Sequence, residues 1–221
     1  MAGKTAARAA GERDPLDRYY TPADVAQAIC RRWAWAIAGR RVVDPFAGGG
    51  AWLDAAIAVG AASVGGSDLD PDAPTVRSGV AVLGDGVDFT EALAGGEVIA
   101  TNPPFAVMAS AVSAALRAWE SGRVSAVIVL GRLTQLEGVS RAESYQRLPP
   151  SHLVIPAARM RWGGPAGRLM AGGTDNFGAA VMLWSKRTPY GETRTAMGWA
   201  PEMEAEGVTR PAQVGLFGGE R

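Results

Sequence analysis

Apolar residues fall along this chain in two rhythms. Short, nearly unbroken apolar runs at 41–44, 62–67, 79–83, 97–101, 124–130 and 153–155 have the length of strands. The run at 124–130 is apolar enough to be buried on both faces. Between the runs the spacing changes to that of helices. Val25, Ile29, Trp33 and Ile37 recur every four residues, behind Thr21 as N-cap, Pro22 at the first helical position and Asp24 in the first turn. Further helices are expected at 51–59, 108–119 and 141–148. Strand alternating with helix predicts an α/β fold, a doubly wound and mainly parallel Rossmann-like sheet with helices on both faces. Ligands of such a sheet bind at the carboxyl edge of its strands.

Composition narrows the class. With 221 residues, 48% of them hydrophobic, the chain can bury one full α/β core. The expected organisation is a mobile segment over 1–18, a single domain over 19–187 and a tail over 188–221. Cys30 is the only cysteine, so no disulfide forms within the chain, and a reducing cytoplasm is the expected setting. With His152 the only histidine, a zinc site of the usual nitrogen and sulfur ligands is not expected. No apolar run reaches the ~20 residues of a membrane span, and residues 1–13 are too polar for a signal peptide.

The candidate chemistry sits at strand ends. The run at 97–101 stops at Asn102-Pro103-Pro104-Phe105. An amino group conjugated to a ring or carbonyl is a poor nucleophile, so a site that alkylates it must accept hydrogen bonds from both N–H groups as the nitrogen becomes tetrahedral. Asn102 offers its side-chain oxygen and Pro103 its backbone carbonyl, held by consecutive prolines, and Phe105 offers a flat face to a planar substrate. The alternative is a Pro-Pro loop in which Asn102 caps a turn and Phe105 is core. Upstream, Asp44-Pro45-Phe46-Ala47-Gly48-Gly49-Gly50 breaks a strand into a glycine loop that brings backbone N–H groups to a helix N-terminus. Asp68 follows Gly48 by 20 residues at the next strand end, the place of an acid that binds ribose hydroxyls. Counting Gly-x-Gly-x-x-Gly from Gly48 ends on Leu53, which argues against a dinucleotide. Asp85, after the run at 79–83, places another carboxylate at the same edge. Cys30 lacks the preceding proline expected of a cytosine-C5 nucleophile.

Together, Tyr19-Tyr20-Thr21-Pro22, the Asp44–Gly50 loop, Asp68, Asp85 and Asn102-Pro103-Pro104-Phe105 resemble class I S-adenosylmethionine-dependent methyltransferases of the N6-adenine DNA type. The order of motifs and the small size look like enzymes of phages and mobile elements. The resemblance implies S-adenosylmethionine as cofactor, with Tyr20, Thr21, Asp44, Phe46, Gly48 and Gly50 around its methionine part, Asp68 on ribose and Asp85 on adenine. It implies a flipped DNA adenine as substrate, held by Asn102 and Pro103 and stacked on Phe105. One segment departs from the pattern. After Thr174-Asp175 the chain has Ala179, Ala180 and Val181 where related enzymes carry aromatic residues, so base clamping is expected to fall to Phe177 or Trp162. An amine of RNA, a protein glutamine amide or a binding module without catalysis are the alternatives the same residues leave open.

The net charge is zero but unevenly spread: +4 over residues 1–41, −8 over 42–120 and +4 over 121–221. Arg159, Arg161 and Arg168 lie in a Gly/Pro-rich stretch that is expected to contact DNA phosphates. In the tail, Gln213, Leu216 and Phe217 resemble the peptide by which bacterial replication proteins bind the sliding clamp, which makes the clamp an expected partner.

Overall fold

The computed structural model describes residues 19–68, 70, 73, 97–137, 139–157, 160, 162, 178–186 and 196–200. The strands are β1 (Arg41–Asp44), β2 (Ser63–Gly66), β3 (Glu97–Thr101), β4 (Val124–Arg132), β5 (His152–Pro156), β6 (Ala179–Ser185) and β7 (Ala196–Ala200). They form one sheet in the order β2-β1-β3-β4-β6-β5-β7. Only β6 runs against the rest, paired antiparallel with β4 and β5. The α/β, mainly parallel architecture expected from the apolar runs is therefore present. The expected strand at 79–83 lies outside the described residues.

Strand periodicity distributes the core. Val42, Val98, Ala100, Ile128 and Leu130 point to one face, where they meet Ile29 of helix α1 (Ala23–Arg32), Trp33 just past its end, and Trp52, Ala55 and Ala56 of α3 (Ala51–Ala58). Their neighbours Val43, Ile99, Val127 and Val129 point to the other face, against Met108, Val112, Ala115 and Leu116 of α4 (Met108–Glu120). A second helix on that face, α5 (Val139–Arg147), brings Tyr145 onto Trp184 of β6 at a centroid distance of 6.0 Å. β6 is buried along its whole length, which explains why Ala179, Ala180 and Val181 are small and apolar: they fill the middle of a sheet.

Several boundaries differ from expectation for local reasons. Pro22 is extended, at φ −59 and ψ 142, and its carbonyl already accepts the first helical bond from Ala26 N–H at 3.1 Å. Proline rather than Thr21 therefore stands at the cap, and no side chain caps α1. The helix also does not run through to Ile37. It breaks at Trp33 and resumes as the short α2 (Ala34–Ile37), a turn that leaves both Trp33 and Ile37 buried. At the far end, β7 adds to β5 in parallel, from His152↔Ala196 to Pro156↔Ala200. The stretch read as a tail from 188 onward thus contributes a strand. Residues 1–18 and the clamp-like Gln213, Leu216 and Phe217 lie outside the described residues, and among the described residues no helix is long and apolar enough to cross a membrane.

Candidate active site

The carboxyl ends of β1, β2, β3 and β4 converge. β1 ends at Asp44, and the chain turns through residues 45–50 into α3. Gly48 and Gly50 take φ +47 and +83, conformations open to glycine at little cost. Gly48 is also crowded, since a Cβ there would lie 2.8 Å from the Tyr20 ring. Tyr20 therefore packs directly on the glycine loop. The loop is pinned from the β2 side: Ala47 N–H donates to the Ser67 carbonyl at 2.8 Å and Gly48 N–H to Asp68 Oδ2 at 2.7 Å. Asp68 Oδ1 accepts from Asp70 N–H at 2.9 Å. Each carboxylate oxygen has a second lone pair, so Asp68 can hold the loop and still accept from a ligand hydroxyl.

Asp44 is fully buried. Its Oδ1 accepts from the Thr101 hydroxyl at 2.6 Å and from Phe46 N–H at 3.1 Å, while Oδ2 has no hydrogen-bond partner. Burial pushes the carboxyl up to about 7, against the opposing pull of the Thr101 and Phe46 bonds, and Asp68 nearby raises it further. Such a group is poised to gain from an incoming cation or N–H donor. Cys30, buried in α1, is pushed up to about 12 by burial and by Asp44. At that value it is not a thiolate nucleophile near neutral pH.

β3 delivers the other half. Thr101 ends the strand, and Asn102 follows with its Nδ2 donating to the Tyr19 carbonyl at 3.2 Å. That bond fixes which way the amide points. Its oxygen, Oδ1, is buried without a hydrogen-bond partner. Pro103 is buried and Pro104 and Phe105 are half-buried. Among the described residues the Phe105 ring meets the Arg132 guanidinium 3.7 Å over its centroid, Tyr19 at 5.4 Å and a 34° tilt, and Trp162 at 6.0 Å and 77°.

The structure thus brings Tyr20, Asp44, Phe46, Gly48, Gly50, Asp68 and Asn102-Pro103-Pro104-Phe105 to one edge of the sheet, with Thr21 half-buried beside Tyr20. Asp85, Arg159, Arg161, Arg168 and Phe177 lie outside the described residues. Trp162 does reach Phe105, although it is itself 5% exposed and packed on the core. Two residues at the site were not singled out from sequence. Thr101 carried a signal, as the polar residue that closes the apolar stretch 98–100 at the carboxyl end of β3. Arg132, the last residue of β4, carried none, because only the sheet order puts it over Phe105.

No protein-family model matches the chain, and no curated protein matches it. Solved structures do. A protein from Pyrococcus horikoshii provisionally described as an RNA methyltransferase has a TM-score of 0.56 at 16% identity, over 79% of this chain and 87% of that one. The M protein of type I restriction enzyme EcoKI has a TM-score of 0.53 at 17% identity, over 81% of this chain and 47% of that one. A type I restriction-modification methyltransferase subunit from Streptococcus thermophilus has 0.53 at 12%, over 78% and 46%. The chain spans about half the length of the two type I subunits. At these identities the likeness is one of architecture, and the chain shares the Rossmann-like fold of these methyltransferase structures.

Proposed function

We propose that the protein is an S-adenosylmethionine-dependent methyltransferase that modifies the N6 amino group of adenine in DNA. The observation that carries this reading is the Asn102 amide. Its nitrogen donates to the Tyr19 carbonyl, which assigns the other terminus as the oxygen, and that oxygen is a buried acceptor without a donor. An amino group conjugated to a flat ring meets that need, with Phe105 as the stacking surface and the Pro103 carbonyl as the second acceptor. The type I restriction subunits among the similar structures favour DNA, and the Pyrococcus protein keeps RNA in view.

The residues fit the cofactor. Gly48 and Gly50 open the loop to close backbone approach, Asp44 Oδ2 is a buried acceptor suited to the ammonium of a methionine moiety, and Asp68 suits ribose hydroxyls. When bound, S-adenosylmethionine supplies an electrophilic methyl group on a sulfonium. Asn102 and Pro103 align the amine lone pair with that methyl, and they accept its two N–H bonds as the nitrogen becomes tetrahedral. The extra proton leaves the product nitrogen afterwards, to solvent. Asp85 on adenine, Arg159, Arg161 and Arg168 on phosphates, Phe177 beside the base, and Gln213, Leu216 and Phe217 on a sliding clamp complete the proposal.

The test is transfer of label from S-adenosylmethionine to duplex DNA, RNA and protein offered side by side. Label in DNA, lost in Asn102→Ala, supports the reading. Label confined to RNA or to protein glutamine moves the substrate, and donor binding without transfer to any acceptor leaves a binding module.

A further inference from the structure

Phe105 can serve as a stacking surface only if one of its faces is open to a planar ligand. In this structure Arg132 lies on that ring, with its guanidinium carbon 3.7 Å from the centroid, the separation of stacked planar groups. Tyr19 is tilted against the ring at 5.4 Å and Trp162 is near-perpendicular to it at 6.0 Å. Arg132 thus covers one face of a ring that two aromatic side chains also crowd. Of the three, Trp162 is packed into the core and Tyr19 is tied through its carbonyl to Asn102. Arg132 is a long side chain at the end of β4, and its guanidinium can leave the ring by rotation of its side-chain torsions alone.

We propose that Arg132 is an autoinhibitory contact: its guanidinium fills the stacking position on Phe105, and a planar substrate must displace it to reach Asn102. This rests on reading Asn102-Pro103-Pro104-Phe105 as the amine-binding site. The consequence is a selection by total binding strength. A cation–aromatic contact of ordinary strength lowers the apparent affinity of any stacking ligand by about three- to tenfold. A free nucleobase, which has no backbone contacts to add, is then kept out at low concentration. A base delivered on a nucleic acid strand brings backbone contacts with it and still saturates the site.

The experiment measures binding of duplexes that carry 2-aminopurine opposite a mismatch, by fluorescence, to the full-length wild type, Arg132→Met and Phe105→Ala. Methylation of adenine duplexes is followed on the same preparations. Arg132→Met should bind about three- to tenfold more tightly than wild type, with a matching fall in KM, and Phe105→Ala should lose the advantage. Equal or weaker binding by Arg132→Met, or no fluorescence change with it, overturns the proposal. Tighter binding by Arg132→Met in a protein that methylates no adenine supports Arg132 as the covering group while removing adenine as the substrate. Should Arg132→Met fail to fold, the Arg132 Nε–H resonance of the wild type decides. A ring-current shift in the free protein that disappears on saturation with the duplex supports displacement, and a shift that persists, or is absent from the start, overturns it.

Discussion

Asn102 and Asp44 present the same physical situation at two points of the site, a buried oxygen with no partner. A lone buried acceptor costs stability, commonly about 1–3 kcal/mol, and the cost is recovered only by a ligand that donates to it. Asn102→Ala should accordingly lower methyl transfer about 100-fold while donor affinity, measured by calorimetry, stays within a few-fold, because the bond matters most as the amine becomes tetrahedral. Asp44 makes a prediction about pH. Its carboxyl is raised from 3.8 to about 7, so the free protein holds that proton between these values where the unfolded chain has released it. Stability from this group is full below pH 3.8 and is lost as pH rises towards about 7. Binding of a donor ammonium favours the carboxylate and runs the other way: affinity for S-adenosylmethionine should be greatest above about pH 7 and fall below it, by up to about tenfold per pH unit. Asp44→Asn should flatten that dependence. A wild-type affinity that does not change between pH 6 and 8 would remove Asp44 from the ligand.

The glycine loop between β1 and α3 behaves as one element with the Asp68 turn, since Gly48 N–H and Asp68 Oδ2 are bonded at 2.7 Å. Two variants separate conformation from ligand contact. Gly48→Ala puts a Cβ at φ +47 and 2.8 Å from the Tyr20 ring, so the melting temperature should fall by several degrees together with donor affinity. Asp68→Ala removes both a loop bond and the proposed ribose contact, and should weaken donor binding by about 1.5–3 kcal/mol with a smaller thermal loss. These elements were legible because their signals are local: apolar runs of strand length, glycines at a strand end, an acid 20 residues on. The break of α1 at Trp33 was not legible, since no Gly or Pro marks it and the burial of Trp33 and Ile37 against the sheet decides it. β7 was missed for a similar reason. Ala196–Ala200 is a short edge strand whose pairing partner lies more than forty residues earlier, on β5. Arg132 at the site is the same case, a residue whose role is set by sheet order and by nothing adjacent in sequence.

At the scale of the whole molecule, β7 joins the region after residue 187 to the fold. Ending the chain at residue 187 should remove the five pairings with β5 and lower the melting temperature by several degrees. Ending it at residue 210 keeps β7, and should spare both stability and methylation of short duplexes while removing the proposed clamp peptide. Equal melting temperatures for the two truncations would show that β7 contributes nothing. The central claim, that these strand ends form a site for transferring a methyl group to adenine N6, is tested most directly by one product analysis. Duplex DNA is incubated with S-adenosylmethionine carrying a labelled methyl and the wild-type or Asn102→Ala protein, then digested to nucleosides and resolved by mass spectrometry. Labelled N6-methyl-2′-deoxyadenosine is expected from the wild type and about 100-fold less from the variant. Label on another base, or equal yields from the two proteins, would contradict it.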